Sequence, residues 1–178
     1  MDAIAYHAAY INRPGSVDLG IRSLSGSRAA VSIVLGNALE IMGSGGYALL
    51  INHGIETARA FASEIKKRPL FELVTPPQLN ILTYRVFPDY IRNEYESADS
   101  RKKKVLTEKL NQMNIYVQRR QREAGVSFVS RTTLKRTGCL DIVVLRSVLM
   151  NPMTNMEILR EVLDEQEKIF CDGFGRQG

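Results

Sequence analysis

Arg146 lies near the middle of an apolar segment, residues 140–150, that has the composition of a buried strand. Strand side chains alternate between two faces, and those predicted on the face of Arg146 are Leu140, Ile142, Val144, Val148 and Met150. An unpaired guanidinium in such surroundings costs several kcal/mol, whereas its planar fork of N–H donors can bind a carboxylate through two hydrogen bonds. The pattern therefore predicts an acidic partner for Arg146. The residues alone favour an internal Asp or Glu; the carboxylate of a ligand and a more solvated face are the alternatives.

Two positions before residue 29 could also take part in chemistry. Tyr10 lies in a segment punctuated by Gly and Pro, and loop positions of this kind often carry catalytic or binding groups, although an amphipathic contact residue would show the same pattern. The run Ser25-Gly26-Ser27-Arg28 stands at the start of a predicted helix. Free N–H groups there can bind an anion, or a serine can simply cap the helix.

Several enzyme classes lack their minimal motifs in this sequence. It contains no GxGxxG, GxxxxGK[ST], GxSxG or HExxH pattern, which argues against dinucleotide-binding, P-loop, serine-hydrolase and zinc-protease functions. The two histidines and two cysteines complete no metal-ligand spacing, so no metal site is expected.

Two helices are predicted before residue 70. The segment 28–42 is apolar at nearly every position, which suits a helix that is covered on most sides. Gly43-Ser44-Gly45-Gly46 interrupts it, and residues 47–67 then carry a single apolar face.

From residue 70 onward the pattern predicts two strand pairs, each followed by a helix. The predicted strands are 71–75, 81–87, 126–133 and 140–150; the predicted helices are 101–123 and the segment that starts at the capping box Thr154-Asn155-Met156-Glu157. This order predicts an α+β fold in which an antiparallel sheet has helices on one face.

Length and composition are typical of one globular domain, with 178 residues, 44% hydrophobic residues and a mean hydropathy of -0.14. No apolar run approaches the roughly 18 to 20 residues that a bilayer helix needs. The N-terminus shows no secretory signal. These features predict a soluble protein of the reducing cytoplasm, without a membrane partner.

The net charge of +5 is concentrated between Arg85 and Arg136, where 13 lysines and arginines face six acidic residues. The predicted helix 101–123 has an apolar stripe of Leu106, Leu110, Met113 and Val117, so its charges most simply coat the solvent side. The alternative is a non-catalytic α+β binding module with a basic surface for an acidic partner or RNA. Nucleic acid is not favoured, because the seven Tyr and six Phe are scattered rather than clustered on one strand.

In their order and spacing, several segments resemble the C-terminal part of the group II pyridoxal-phosphate-dependent amino acid decarboxylases, the family of glutamate and aromatic amino acid decarboxylases. The segments that carry the resemblance are His7-Ala8-Ala9-Tyr10-Ile11, residues 18–28 (DLGIRSLSGSR), Gly45-Gly46-Tyr47, Ile81-Leu82-Thr83-Tyr84-Arg85 and Val143-Val144-Leu145-Arg146-Ser147. The match covers most of the chain. The Ser27-Arg28 segment and residues 119–131 look most like the bacterial branch of aspartate 1-decarboxylase or glutamate-decarboxylase-like enzymes.

The resemblance implies a small C-terminal domain of the aspartate-aminotransferase-like fold at residues 70–171. It would be preceded at 1–67 by a catalytic loop and connecting helices and followed at 172–178 by a tail. The resemblance further implies that Tyr10 protonates the substrate carbon after carbon dioxide leaves and that Arg146 holds the substrate carboxylate. Ser27 would approach the cofactor and substrate of a neighbouring subunit, which implies a homodimer.

The same resemblance implies a carboxy-lyase that uses pyridoxal 5'-phosphate and acts on an acidic amino acid, aspartate or glutamate. Arg13, Arg85 and Arg131 are candidate cations for the second carboxylate of such a substrate. In the family a lysine that follows a histidine binds the cofactor, and no lysine of this chain does so. We therefore expect that lysine upstream in a larger protein, and no decarboxylation by this chain alone.

Overall fold

The computed structural model describes residues 30–135 and 140–175. Its elements in chain order are α1 (Ser32–Lys67), β1 (Phe71–Gln78), β2 (Ile81–Val86), α2 (Asp89–Ser97), α3 (Ser100–Ala124), β3 (Ser130–Leu134), β4 (Ile142–Val148) and α4 (Met156–Phe174). The predicted α+β class and both strand pairs are confirmed. Two compact units divide between Leu50 and Ile51, inside α1, whereas the sequence analysis places the division between 67 and 70.

In the first unit, the N-terminal part of α1 exposes apolar side chains. Gly43 has a φ of 62°, which glycine adopts readily, so α1 is broken at the first residue of the predicted interruption. The exposed large side chains of residues 31–50 are Val31, Ile33, Val34, Leu35, Leu39, Ile41, Met42, Leu49 and Leu50. A continuous apolar surface of this kind marks a site that another surface covers.

Helix α1 is long and apolar enough, by length and composition, to cross a membrane; an 18-residue window within it has a mean hydropathy of 1.3. The sequence analysis finds no such segment because Gly, Ser and Asn interrupt the apolar run. Glu40 is nevertheless the only charged residue between positions 32 and 50. Core helices of soluble proteins meet the same criterion.

The second unit is built on a four-stranded antiparallel sheet with the order β1-β2-β4-β3. Tyr84 of β2 lies opposite Leu145 of β4, and helices cover this face. The Phe61 ring of α1 meets the Tyr84 ring edge-on at 5.8 Å, and Gln166 of α4 accepts a hydrogen bond from the Tyr84 hydroxyl. Helix α3 contributes the predicted apolar stripe, which is buried at Leu106, Leu110, Met113 and Val117. By alternation, Arg146 lies on the opposite face of the sheet.

Side-chain and glycine caps set the ends of α3. It begins after Asp99, whose carboxylate accepts a hydrogen bond from the Lys102 N–H at 2.7 Å, and it ends at Gly125 in the left-handed conformation. The predicted bounds of this helix are therefore correct to within one residue.

The N-cap of helix α4 lies one residue later than predicted. The side chain of Asn155, rather than that of Thr154, accepts a hydrogen bond from the Ile158 N–H at 3.0 Å, because Asn is an equally effective cap. The helix continues to Phe174, so residues 172–174 are helical and do not belong to a tail.

The sequence analysis misses α2 and shortens β1. Helix α2 directly follows Pro88 and is only nine residues long, with Ile91 as its one buried residue, so its apolar pattern is too short to stand out in the sequence. Strand β1 continues through Pro76 and Pro77 with an irregular register. Proline is tolerated there because β1 is an edge strand whose outer N–H groups need no partner strand.

Gly54 allows α1 to approach the end of the sheet closely. A Cβ atom at this position would lie 2.8 Å from the carbonyl oxygen of Leu149, which also accepts a hydrogen bond from the Asn80 side chain at 3.1 Å. We expect Gly54→Ala to lower the free energy of unfolding by about 1–3 kcal/mol in urea denaturation. Gly45→Ala is the control, because a Cβ at Gly45 meets nothing within 4 Å. A Gly54→Ala variant as stable as the parent chain would contradict this packing.

Candidate functional site

Arg146 belongs to a transverse row to which each strand of the sheet contributes one polar side chain. The register places Thr83 and Ser130 on either side of Arg146, and Thr75 beyond Thr83. The Thr83 hydroxyl donates to the Thr75 hydroxyl at 2.8 Å. The Ser130 hydroxyl donates to the carbonyl oxygen of Arg146 at 2.8 Å. Since opposite residues have Cβ atoms about 4.5–5.5 Å apart, two hydroxyl-bearing residues flank the guanidinium stem.

The predicted face of Arg146 is confirmed for Ile142, Val144 and Val148, while the outer members of the predicted set, residues 140 and 150, lie beyond the ends of β4. Arg146 is half-buried, and it already has an interaction partner within the chain. A guanidinium has five N–H donors in a planar fork, so an interaction within the chain and a contact with a ligand do not exclude each other.

A cleft of about 480 Å³ opens beside Arg146, at the end of the sheet where β3 begins and β4 ends. Its walls are the loop 126–130, residues 146–149 and residues 154–162 at the start of α4. Most of the lining side chains are apolar, and Ser and Thr hydroxyls supply most of the rest. Among the described residues that line it, Arg146 is the only charged one. An anion in this cleft would therefore meet one cation and no carboxylate from the lining.

A series of hydrogen bonds runs through the interior from Tyr84 to Ser127, a serine of the cleft. The Tyr84 hydroxyl donates to Gln166 at 3.1 Å. Gln166 donates to Gln121 at 3.0 Å, and Gln121 donates to the Ser127 hydroxyl at 2.7 Å. Burial raises the pKa of Tyr84 more than its hydrogen bonds lower it, so the phenol stays protonated at neutral pH. The sequence analysis did not identify this series of hydrogen bonds.

Tyr10 and Ser27, the predicted catalytic and substrate-binding residues of the N-terminal segment, lie outside the described residues. Arg13 lies outside them as well. The roles assigned to these residues from the family resemblance stay predictions.

Arg85 and Arg131 are poorly placed to bind the same ligand as Arg146. Arg85 is only 4% exposed and forms an ion pair with Glu72, so the carboxylate of Glu72 already neutralises its charge. Arg131 lies opposite Leu145 on β4. Alternation therefore places Arg131 and Arg146 on opposite faces of the sheet. Sequence reasoning missed the Glu72 partner because it depends on the register of β1 and β2.

The basic residues at the start of α3 contact groups of the chain itself. Lys102 forms an ion pair with Glu94 at 2.9 Å, and the Lys103 ammonium lies 5.7 Å from the centre of the Tyr95 ring. These contacts favour a solvated helix face over a dedicated surface for nucleic acid.

Comparisons with known proteins find amino acid decarboxylases among the relatives of this chain. An aspartate 1-decarboxylase of Aliivibrio fischeri is 42% identical over 171 residues, which span 95% of this chain and 31% of that enzyme. An aromatic-L-amino-acid decarboxylase of Bacillus atrophaeus is 26% identical over 85% of this chain and 28% of its own length. The crystal structure of mouse CSAD has a TM-score of 0.68 at 21% identity, over 92% of this chain and 33% of its own. No family model matches the chain.

The chain is similar to group II pyridoxal-phosphate-dependent amino acid decarboxylases and resembles their C-terminal part. The α+β fold expected from the resemblance is confirmed by the solved neighbours. Within the family, the Aliivibrio fischeri aspartate 1-decarboxylase is a relative at 42% identity. The chain spans about a third of the length of the curated relatives it matches.

Proposed function

We propose that this chain is the C-terminal part of a cytoplasmic decarboxylase that removes the α-carboxylate of an acidic amino acid, aspartate in preference to glutamate. The observation that carries the proposal is the largely apolar cleft in which Arg146 is the one charged residue among the described residues of the lining. The 42% identity to an aspartate 1-decarboxylase supports the choice of aspartate.

Arg146 is suited to hold the carboxylate of a substrate. Its planar fork can donate two parallel hydrogen bonds to one carboxylate, a geometry that a lysine cannot reproduce. The apolar walls exclude water, which strengthens the attraction between the opposite charges. Arg13 remains as the candidate cation for the second carboxylate of aspartate, because Arg85 and Arg131 are poorly placed to bind the same ligand as Arg146.

The described part of the chain does not form a pyridoxal phosphate site by itself. Among the described residues, no lysine lines the cleft, and Arg146 is the single cation of the lining for both a phosphate and a substrate carboxylate. We therefore assign the cofactor to the part of the enzyme that this chain does not span. The contribution of this chain is to bind and orient the substrate and to keep water out of the cleft.

The exposed apolar surface of residues 31–50 supports a larger assembly, because a soluble protein rarely leaves such a surface uncovered. We infer a homodimer in which the remainder of each decarboxylase polypeptide covers this surface. In that assembly we assign to Tyr10 the protonation of the substrate carbon, and to Ser27 the contact with the neighbouring subunit's substrate, as the family resemblance implies.

The test is a chimera in which this chain replaces the aligned region of the Aliivibrio fischeri aspartate 1-decarboxylase, called the chimera from here on. We expect the chimera to release carbon dioxide from L-aspartate and to sediment as a dimer, whereas this chain alone releases none. The visible absorbance of bound pyridoxal phosphate shows whether the chimera is assembled. An assembled chimera that decarboxylates neither L-aspartate nor L-glutamate would contradict the proposal, and so would turnover by this chain alone.

A further inference from the structure

We propose that Phe128, on the cleft loop (residues 126–130), is a further binding residue of the site: its ring covers the carboxylate that Arg146 holds and keeps water away from that ion pair. Phe128 and Arg146 line the same cleft. This inference rests on the proposed function only in taking the cleft as the site of the substrate carboxylate.

The cleft loop is fastened to helices α3 and α4 at two alternate residues. The Ser127 hydroxyl accepts a hydrogen bond from the Gln121 side chain at 2.7 Å and donates one to the Glu165 carboxylate. The carbonyl oxygen of Val129 accepts from the Gln118 side chain at 3.1 Å, and Val129 is only 6% exposed. These contacts hold the backbone of the loop in one position.

The residues that alternate with these anchors carry large apolar side chains that are exposed. Val126 is 83% exposed and Phe128 is 61% exposed. Extended backbone alternates its side chains, so Val126 and Phe128 project away from the side on which Ser127 and Val129 are held. An aromatic side chain on a backbone that is already fixed has little ordering cost left when a ligand packs against it. Phe128 is therefore preorganised for binding.

The register of β3 and β4 places Phe128 close to Arg146. Ser130 lies opposite Arg146, and its hydroxyl donates to the Arg146 carbonyl oxygen at 2.8 Å, so the cleft loop is fastened to β4 as well. Phe128 precedes Ser130 by two residues and shares its side by alternation. Diagonal neighbours of this kind have Cβ atoms about 7–8 Å apart, within reach of an aromatic ring and a long side chain. A carboxylate on the guanidinium is therefore within reach of the Phe128 ring.

An apolar ring beside an ion pair strengthens the pair by excluding water. Opposite charges attract more strongly where water is excluded, and salt screens a covered ion pair less than an exposed one. Phe128 is the only aromatic residue among the described residues that line the cleft. We therefore expect that removing its ring weakens the binding of a carboxylate and makes this binding more sensitive to salt.

The test compares Phe128→Ala and Phe128→Leu in the chimera, with Tyr90→Ala as the control. Tyr90 on α2 is an aromatic residue of similar exposure, 50%, and it does not line the cleft. We expect Phe128→Ala to raise KM for L-aspartate roughly three- to tenfold, with kcat changed by less than about twofold. Phe128→Leu keeps an apolar cover and should restore most of the binding.

The dependence on salt separates a cover of the ion pair from a structural role. The ratio of KM in Phe128→Ala to KM in the unsubstituted chimera should increase with the NaCl concentration, because the uncovered ion pair is screened more strongly. The control Tyr90→Ala should change neither KM nor its dependence on salt. An unchanged KM in Phe128→Ala would overturn the inference, and so would a rise in KM that is the same at every salt concentration.

An unsubstituted chimera without activity would count against the proposed function, and a titration of this chain alone with succinate then decides the inference. Succinate has the two carboxylates of aspartate and lacks its amine. Backbone amide NMR shifts in the cleft segments 127–130 and 146–148 report its binding. We expect Phe128→Ala to weaken the affinity for succinate roughly three- to tenfold. Equal affinities in the two chains would overturn the inference, and so would an absence of binding by the unsubstituted chain.

Discussion

Replacing Arg146 by Met in the chimera is expected to lower kcat/KM for L-aspartate by about 100-fold or more. Truncating one partner of a desolvated, hydrogen-bonded charge pair costs about 3 kcal/mol, which corresponds to a loss of that size. The loss is expected to be large because, among the described residues that line the cleft, no other cation can take over the carboxylate.

Further variants distinguish a role of Arg146 in substrate binding from a role in folding. Arg146→Lys keeps the charge without the planar fork, so we expect an intermediate loss, and millimolar guanidinium should restore part of the activity of Arg146→Ala. Arg120→Met is the control, because Arg120 is exposed on α3 and pairs with Glu123. An Arg146→Met chimera that keeps kcat/KM within about twofold would contradict the role of Arg146. Loss of bound pyridoxal phosphate together with the activity would instead indicate a structural role.

Local patterns in the sequence were sufficient for the main elements of the second unit. The stripe of α3 and the alternation of β4 are periodicities that persist over many residues, so the helix bounds and the face of Arg146 could be predicted. Helix α2 was missed because its nine residues are too few for an apolar pattern to stand out. The placement of β4 between β2 and β3 also escaped prediction, because it depends on contacts between distant segments.

The candidate site was predictable only in part. Strand alternation identified Arg146, but the cleft depends on how α4 packs beside the sheet. One signal was available and not used: amide side chains recur along α3 at helical spacing beside the apolar stripe, at Asn111, Asn114, Gln118 and Gln121. All four are buried. Buried amides at this spacing indicate hydrogen bonds to neighbouring elements.

Two of these amides fill a gap between β2 and β4. The ladder between the strands stops at Tyr84 and Leu145. Two residues further, the register would place Val86 opposite Val143. Instead, the Asn114 side chain accepts from the Val86 N–H at 2.8 Å and donates to its carbonyl at 3.1 Å. Asn111 accepts from the Val143 N–H at 2.8 Å. Helix α3 therefore replaces hydrogen bonds that the strands do not make with each other.

Asn114→Leu is expected to lower the free energy of unfolding by about 3–5 kcal/mol in urea denaturation, because two buried main-chain groups of Val86 lose their partners. Gln112→Leu is the control on the same helix. Gln112 is exposed and bonds only to Glu108 among the described residues, so its replacement should change stability by less than about 0.5 kcal/mol. An Asn114→Leu variant within about 1 kcal/mol of the parent chain would show that the strands close the gap themselves.

Asn114→Asp tests the same hydrogen bonds through their dependence on pH. An ionised Asp can accept from the Val86 N–H but cannot donate to the carbonyls of Val86 and Leu110, and it lies in a fully buried position. Burial and the facing carbonyl oxygens raise its pKa above the value of about 4 in the unfolded chain. Between these two pKa values the folded state binds more protons, so stability increases as the pH falls and the neutral acid regains a donor. In urea denaturation, the free energy of unfolding that Asn114→Asp loses relative to the parent chain should therefore be smaller near about pH 5 than near about pH 8. A purely steric defect would lower the free energy of unfolding by the same amount at both pH values.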